Sequence, residues 1–389
     1  MIGASEMHEI DLTDAEVIRN PFAAYGRVRE ESPLARLQAI PGIDPWWVVT
    51  RHEQARAMLS DPRFEIRSDS FMRPDVPDDC LPYMRTMSEM NGQEHARMRK
   101  LVAPAFTPRR ATDFRQRIES IVEGLLDATE AQASDGTVDL LPHFTRPLPM
   151  DVICEWVGIP ESDRMRWRTY GATVAGGAGP DFAMAIPGIM DGAKAAIAHR
   201  RDDPGDDLLT DLITAQADDG DRLTDTEMVT LVWHLVMAGQ TPTNLIANAV
   251  LALLAHPRQR ELLRDDPDLM PGAVEELMRW CGPTLLTIPR YTREDTELCG
   301  TRVSEGQSVV ASVAAANRDP RVFNDPDELD VTRPKGENPH LGFAHGPHFC
   351  LGASMARVQT QVALNALLRR YPDLTLASTP DELRAPCLL

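Results

Sequence analysis

The sequence lacks the features that mark membrane-spanning, secreted and nucleic-acid-binding proteins. No uninterrupted apolar stretch approaches the length of about 18 residues that a membrane span needs. Residues 1–11 carry three acidic residues and no basic segment, which is not the pattern of a secretory signal. Acidic residues outnumber basic ones by 59 to 40, and the net charge of −19 repels nucleic acid and anionic membranes. We therefore expect a cytoplasmic protein whose partners are neither nucleic acids nor membranes.

Paired cysteine spacings are also missing. None of the six cysteines forms a CxxC motif, so neither a disulfide framework nor a zinc ribbon is indicated. Five of them, Cys80, Cys154, Cys281, Cys299 and Cys387, are expected to be reduced and mostly buried as small apolar groups. Cys350 is the exception, because of the residues around it.

The chain has no internal repeat and no low-complexity linker, which favours one domain over residues 1–389. Periodicity predicts a mainly α fold with a minor β portion. Residues 66–93 show no clear period and are predicted to form a long loop, which in a compact domain is usually functional. Strands are predicted within 34–50 and 286–316, the clearest at 308–313, and helices over 51–59, over most of 94–264 and over 352–371.

One helix is sharply marked. Thr224 and Glu227 form a capping box, and the apolar run that follows continues to His256. Roughly 32 residues of helix extend about 48 Å, enough to cross a whole domain. Pro242 lies in the middle, where it cannot donate to the carbonyl of Ala238 and its ring crowds the preceding turn. We expect the helix to be kinked or opened there, as the edge of a cavity.

The residues with the strongest chemical signal span 343–352, Phe-Ala-His-Gly-Pro-His-Phe-Cys-Leu-Gly. A helix follows directly, and a thiolate at a helix N-terminus is stabilised by the dipole and by unpaired backbone N–H groups. Glycines at 346 and 352 allow the loop to bend and to approach a flat molecule closely. An isolated cysteine is usually a buried apolar group, but the complete spacing argues against that for Cys350.

This loop resembles the haem-binding signature of the bacterial cytochromes P-450. The resemblance implies the fold of that family, with a long central distal helix and a thiolate loop before a proximal helix. It implies haem b as the cofactor, Cys350 as the axial ligand of the iron, and Phe343, Gly352 and Ala238 as further cofactor contacts. It also implies an oxygen-dependent oxidoreductase.

Further family marks follow in the same order along the chain. Glu276-Leu-Met-Arg279 and Arg333 match a cluster whose implied role is to brace the thiolate loop, although Glu276 and Arg279 alone would suit a surface ion pair. Four residues match the family's haem-propionate partners: His95, Arg99, Arg290 and His348. Residues 316–319, Ala-Asn-Arg-Asp, are also similar to the family. Its members continue through a final β hairpin, which predicts that a chain ending at Leu389 is truncated.

The distal helix departs from the family. Residues 238–243 read Ala-Gly-Gln-Thr-Pro-Thr, where the family commonly has an acid and then an alcohol in place of Thr241 and Pro242. In the family, that pair is implied to relay protons during oxygen activation. The residues that deliver protons in this chain are therefore undetermined from the sequence. Thr241 could supply a hydroxyl, Gln240 could order water, or the substrate could provide its own donor. Thr243 is a poorer candidate, because it lies about 100° around the helix from residue 242.

A substrate pocket is expected beside this helix. His234, one turn before Ala238, should project from the same face, although a satisfied core histidine is an equal alternative. Residues expected to share the pocket are Met237, Leu286, Ile288 and, from the methionine-rich loop, Met87. Methionine is adaptable at binding surfaces, but each single methionine also suits ordinary packing.

The chain carries no flavin motif, so its electrons must come from elsewhere, and the resemblance implies a ferredoxin and its reductase. A docking patch of Arg97, Lys100, Arg109, Arg110 and Arg357 is one interpretation, and a solvated basic face is the other. The altered distal helix predicts a tailoring enzyme of secondary metabolism. We expect it to form a C–C or C–N bond by oxidative coupling of an aromatic substrate, such as a tryptophan-containing cyclic dipeptide. Alternatives are a hydroxylase or epoxidase, a non-catalytic haem ligand sensor and a peroxide-driven haem enzyme.

Overall fold

The structure is a computed structural model that describes residues 8–71, 75–175, 180–218, 223–334, 336 and 339–378. Helices dominate and strands are few, which confirms the predicted mainly α fold with a minor β portion. The helices are α1 (Ala15–Arg19), α2 (Pro21–Glu31), α3 (His52–Ser60), α4 (Gly92–Val102), α5 (Pro108–Asp113), α6 (Arg115–Glu130), α7 (Pro147–Val157), α8 (Glu161–Ala175), α9 (Pro180–Asp202), α10 (Leu208–Asp218), α11 (Asp225–Ala238), α12 (Pro242–Ala255), α13 (Pro257–Asp265), α14 (Met270–Cys281), α15 (Val313–Ala316) and α16 (Ala353–Arg370).

The strands form one mixed sheet and one hairpin. They are β1 (Glu9–Asp11), β2 (Leu34–Gln38), β3 (Trp46–Val49), β4 (Phe64–Glu65), β5 (Arg290–Thr292), β6 (Thr296–Leu298), β7 (Thr301–Val303) and β8 (Ser308–Ala311). The sheet order is β1-β2-β3-β8-β5-β4, and β6 pairs with β7. The strands predicted within 34–50 and at 308–313 are present, although β8 ends at Ala311 and α15 follows it.

Contacts divide the chain into two compact units. Unit 1 contains the described parts of Met1–Phe71, Asn248–Cys350 and Asp373–Leu389, and so includes both sheets. Unit 2 contains those of Met72–Ala247 and Leu351–Pro372. One domain over 1–389 stays a prediction.

The sheet of unit 1 is covered on both faces, which explains its runs of β-branched residues. Side chains alternate along a strand, so Val309 and Ala311 of β8 join the cluster that contains Met58 and Leu59 of α3. Val310 points the other way and packs with Tyr25 of α2. The sheet therefore fixes the end of α3 and the start of β5, which both contribute to the candidate site.

Unit 2 is a helical bundle in which α6 packs against α7 and α16. Buried Ile118, Val122 and Leu126 repeat every four residues along α6 and form its inner face. Arg370 at the end of α16 pairs with Asp127 of α6 at 2.6 Å. Helix α7 is almost entirely buried and also packs against α8 and α11.

The predicted central helix is present as two helices. Thr224 caps α11 through the expected capping box with Glu227. Helix α11 ends at Ala238, and α12 begins at Pro242, so the chain is opened at Gly239–Thr241. Proline suits the first position of a helix because its missing N–H has no partner there in any case. The opening that Pro242 predicts is thus confirmed.

Candidate functional site

Cys350 lies in a tight loop before α16. A 3₁₀ turn over Gly346–His348 precedes it, and Gly352 is the N-cap of α16. The Cys350 N–H donates to the Phe343 carbonyl at 2.9 Å and closes the loop. The cysteine therefore stands just before the N-terminus of a long helix, where a thiolate is stabilised.

Cys350 is also the only exposed cysteine among the described residues. The others are Cys80, Cys154 and Cys281, which are buried, and Cys299, which is half-buried. Burial raises the pKa of the Cys281 thiol to about 12 and that of Cys299 to about 11. These thiols stay protonated and pack as small apolar groups, as expected. Cys387 lies outside the described residues.

The carbonyl of Leu59, at the end of α3, brings two predicted site elements together. Arg290 Nη1 donates to this carbonyl at 2.8 Å. A methyl group on Gly346 would lie 2.7 Å from the same oxygen, and Gly346 has a φ of +74°. Only glycine fits both the backbone conformation and the space. Gly352 has no such requirement, since a methyl group there would meet no protein atom within 4 Å.

Arg290, on β5, is a buried cation without an acidic partner in the part of the chain that the structure describes. Its side chain is 4 % exposed, and no carboxylate of the described residues pairs with it. Burial lowers the pKa of Arg290 to about 10. Such a charge is costly to bury alone, so the position suits a ligand that carries a carboxylate.

Glu276, Arg279 and Arg333 form one buried cluster. Arg279 makes two hydrogen bonds to the Glu276 carboxylate, at 2.7 and 2.8 Å, and Arg333 Nε donates to Glu276 Oε2 at 3.0 Å. The guanidinium groups also donate to backbone carbonyls at 317 and 324–328. The surface-pair alternative is therefore wrong, because the side chains of Glu276 and Arg279 are each 2 % exposed.

Asn317 links this cluster to the cysteine loop. Its carbonyl accepts from Arg279 Nη1 at 2.9 Å, and its Oδ1 accepts from the Leu341 N–H at 2.7 Å. The side chain is 2 % exposed. Sequence reasoning noted residues 316–319 without assigning a role to Asn317. The only signal for Asn317 in the sequence was its place in this segment.

His95 and Arg99 lie one turn apart on α4 in unit 2, whereas Arg290 and His348 belong to unit 1. His95 is buried, and Arg99 is half-buried. Burial, and then the charge of Arg99, lowers the pKa of His95. A neutral imidazole still offers one N–H donor to a carboxylate, and the neighbouring guanidinium offers several.

Thr241 bridges the opening in the distal helix. Its N–H and its Oγ1 both donate to the Ala238 carbonyl, at 3.3 and 3.0 Å. This is the carbonyl that Pro242 cannot serve. In this arrangement the Thr241 hydroxyl is used to cap α11.

Gln240 and Gly239 of the opening pack against neighbouring helices. A methyl group on Gly171 of α8 would lie 2.8 Å from Gln240 Oε1. The Nε2 atom of Gln240 is 3.8 Å from the sulfur of Met237. A methyl group on Gly239 would lie 2.8–3.0 Å from the Ile153 side chain of α7. The Gln240 carboxamide is therefore directed toward α8.

A cavity of about 180 Å³ in unit 2 is lined by two of the predicted pocket residues, His234 and Met87. His234 Nε2 and Ser88 Oγ are 3.2 Å apart. Burial lowers the pKa of His234 to about 4, so the ring is neutral at physiological pH. Sequence reasoning missed Ser88, whose only signal was its place in the methionine-rich loop.

The other predicted pocket residues lie elsewhere. Met237 is half-buried near the end of α11 and contacts Gln240. Leu286 pairs with Ser312 in an isolated bridge and packs partly against the sheet of unit 1. Ile288 is 40 % exposed. Their pocket role stays a prediction.

Comparison with known proteins identifies the family. The model of the cytochrome P450 family matches residues 189–383. Cytochrome P450 107B1 of Saccharopolyspora erythraea is 40 % identical over 92 % of this chain and 90 % of its own length. The chain belongs to the cytochrome P450 family.

Two further similarities are to a P450 monooxygenase and to a P450 enzyme of a biosynthetic pathway. The cytochrome P450 monooxygenase PikC of Streptomyces venezuelae is 39 % identical over 94 % of this chain and 87 % of its own. The solved structure of the P450 enzyme CxnD, for C–S bond formation in chuangxinmycin biosynthesis, is 32 % identical. The match covers 98 % of this chain and 94 % of the CxnD chain, with a TM-score of 0.83. The P450 fold and the assignment as a P450 monooxygenase of secondary metabolism are confirmed.

A P450 carries a haem iron, and the residues described above fit one. Cys350 offers an exposed sulfur ligand before a helix N-terminus, and haem iron accepts a thiolate. Arg290 is a buried cation to which no described residue offers a carboxylate, and a propionate would provide one. A soft donor for the iron and a charge partner for the acid are thus both present.

As a P450, the chain depends on redox partners for electrons. Two members of the predicted docking patch are used in internal ion pairs: Arg97 with Glu227 at 2.7 Å, and Arg110 with Asp211. Arg109 is 91 % exposed. No helix in the described part of the chain is long and apolar enough to cross a membrane.

Proposed function

We propose that the chain binds haem b through Cys350. Its propionates are bound by His95, Arg99, Arg290 and His348, and its ring is contacted by Phe343, Ala238 and Gly352. When bound, the haem supplies oxygen activation, which a thiolate ligand favours by pushing electron density to the iron. The chain's own residues neutralise the propionates and hold the thiolate loop. Arg290 carries this proposal, because it is buried and has no acidic partner among the described residues.

Arg290→Gln is expected to weaken haem binding about tenfold or more, because a hydrogen bond to a charged group contributes about 1.5–3 kcal/mol. Transfer of haem to an excess of apomyoglobin measures this. Arg293→Gln is the matched control, since Arg293 lies near β5 but its side chain is 61 % exposed. Equal transfer rates for the two variants would contradict the assignment.

We further propose that the reaction is oxidative C–C or C–N coupling of an aromatic substrate, such as a tryptophan-containing cyclic dipeptide. The observation that carries it is the hydrogen bond from Thr241 Oγ1 to the Ala238 carbonyl, beside Pro242 at the family's alcohol position. The Thr241 hydroxyl is then used in this hydrogen bond, and the family's acid is absent. The proton needed for oxygen activation is therefore donated by an N–H or O–H group of the substrate.

Coupling balances without oxygen insertion. The substrate loses two hydrogen atoms as the new bond forms, and dioxygen takes up two further electrons and two protons to give two water molecules. A ferredoxin fed by its reductase supplies the electrons in this proposal, with dioxygen and a small molecule as the other partners. The similarity to CxnD, an enzyme for C–S bond formation, supports coupling. Hydroxylation or epoxidation is the second candidate, supported by the similarity to the monooxygenase PikC.

The double variant Thr241→Asp, Pro242→Thr restores the family's acid–alcohol pair and tests this proposal. If the substrate supplies its own donor, product formation should stay within a few-fold of wild type. If instead the protein's own proton relay is impaired by Thr241 and Pro242, turnover in the double variant should rise by about a hundredfold or more, the usual contribution of a general acid. The measurements are the product rate on the native substrate and the fraction of consumed reductant that appears in product.

Thr241→Ala alone and Thr243→Ala provide the controls. Thr243 is buried in α12, so losing its hydroxyl should leave the product distribution unchanged. Loss of all activity in Thr241→Ala would assign proton delivery to Thr241. A large gain in both rate and coupling for the double variant would favour hydroxylation and contradict substrate assistance.

A further inference from the structure

The cavity beside α11 is lined by adaptable apolar side chains together with polar and charged ones. It lies among residues 82–98 and α11, and Met87, Met90, Met98 and Leu231 contribute apolar side chains to it. Methionine has three rotatable bonds and a polarizable sulfur, so such walls adjust to the shape of an apolar guest. All of these residues belong to unit 2.

The charged residues at the cavity neutralise one another. Arg85 makes two hydrogen bonds of 2.6 Å to the carboxylate of Glu94. Glu227 is paired with Arg97 at 2.7 Å and accepts from the Thr224 N–H at 2.7 Å. A charged ligand would have to compete with these pairs, so the cavity favours an uncharged one.

The other polar groups at the cavity, outside these ion pairs, are uncharged. His234 lines it from the third turn of α11, and its Nε2 is already engaged with Ser88 Oγ. The ring is held neutral by burial, with a pKa of about 4. A neutral imidazole and a hydroxyl can orient a bound molecule by hydrogen bonds, and they do not require that molecule to be charged.

The volume of the cavity matches a small guest. A dry apolar cavity of about 150 Å³ binds benzene. This cavity, at about 180 Å³, has room for one ring-sized group. We propose that it binds one neutral aromatic ring of the substrate and so selects for substrates that carry a second, unreactive ring. The inference rests on the proposed function, because it takes the guest to be part of the substrate.

Bromobenzene is a direct probe, since it is neutral, ring-sized and visible by its bromine in anomalous difference maps. Crystals of the haem-loaded enzyme soaked in bromobenzene should show bromine within this cavity. The matched charged probe, 4-bromobenzoate, should not bind there. Absence of bromobenzene from the cavity would overturn the proposal without any variant.

Leu231→Phe fills part of the cavity and connects it to the substrate. It should weaken bromobenzene binding in solution, measured by calorimetry, by about tenfold or more, because it removes space for one buried apolar group. It should raise the KM of an aromatic substrate similarly. Leu262→Phe is the control, as Leu262 of α13 is 41 % exposed and lies outside the cavity.

The outcomes separate this inference from the proposed coupling reaction. Bromobenzene binding that Leu231→Phe weakens, together with a raised KM, supports the ring subsite even if the product is hydroxylated. Bromine density with unchanged solution affinity in Leu231→Phe would mean binding at crystal concentration only. Weakened bromobenzene binding with an unchanged KM would show that the substrate does not use the cavity. Either of these two results overturns the proposal.

Discussion

Replacing Cys350 with histidine is expected to abolish the red-shifted ferrous–CO absorption band completely. That band reports a thiolate ligand, and an imidazole is a neutral donor that does not push electron density to the iron in the same way. Haem is still expected to bind, because Arg290 and the other propionate residues are unchanged. The measurement is the CO difference spectrum of the reduced variant, alongside its haem content.

Cys299→Ser is the matched control. Cys299 is half-buried, and its thiol has a raised pKa of about 11, so it is a poor ligand. The control should keep the band at full height. A red-shifted band that survives in Cys350→His would overturn the central assignment, because another residue would then be the ligand.

The thiolate loop and the Glu276 cluster could be predicted because their signals are local in the sequence. Cys350 is preceded by a glycine whose positive φ and close approach to Leu59 permit no other residue. Glu276 and Arg279 lie one turn apart on α14, so their pairing is already encoded in the helix. Spacing predicted the Glu276–Arg279 pair, whereas its burial and the addition of Arg333 were expected only from the resemblance to the family.

The contacts that complete these elements use backbone atoms and distant side chains. Arg279 and Arg333 are surrounded by carbonyls at 317 and 324–328, which no residue type specifies. Similarly, Pro242 predicts an opening in the helix, but not that Thr241 Oγ1 donates to Ala238 across it. Carbonyl positions depend on the folded chain.

Charge patterns do not reveal partners that are distant in sequence, and the docking patch stays a prediction. Arg97 belonged to a predicted docking patch, yet it pairs with Glu227, 130 residues away, and supports the start of α11. The long loop over 66–93 contains short 3₁₀ turns, and the carbonyl of Tyr83 is fixed by Trp233 Nε1 at 2.9 Å. Such contacts become visible only once the helices are placed.

Glu276→Ala is expected to lower the free energy of unfolding by about 3–5 kcal/mol, because it leaves buried guanidinium charges without their acid. Arg279, 2 % exposed, loses both of its carboxylate hydrogen bonds, and Arg333 loses one. The Asp330 N–H also loses its acceptor, Glu276 Oε1, at 3.0 Å. Since domains are stable by only about 5–15 kcal/mol, the loss is a large fraction of the total.

The loss should reach the thiolate loop through Asn317, whose carbonyl accepts from Arg279 and whose Oδ1 holds the Leu341 N–H. Purified Glu276→Ala should therefore carry little haem and unfold at a lower urea concentration than wild type. Asp295→Ala is the control, because Asp295 pairs with Arg302 at the surface and should change stability by no more than about 1 kcal/mol. If Glu276→Ala does not fold, Glu276→Gln retains the acceptor oxygen and should lie between wild type and Ala in haem content. Full haem content and wild-type stability in either Glu276 variant would show that the cluster does not support the loop.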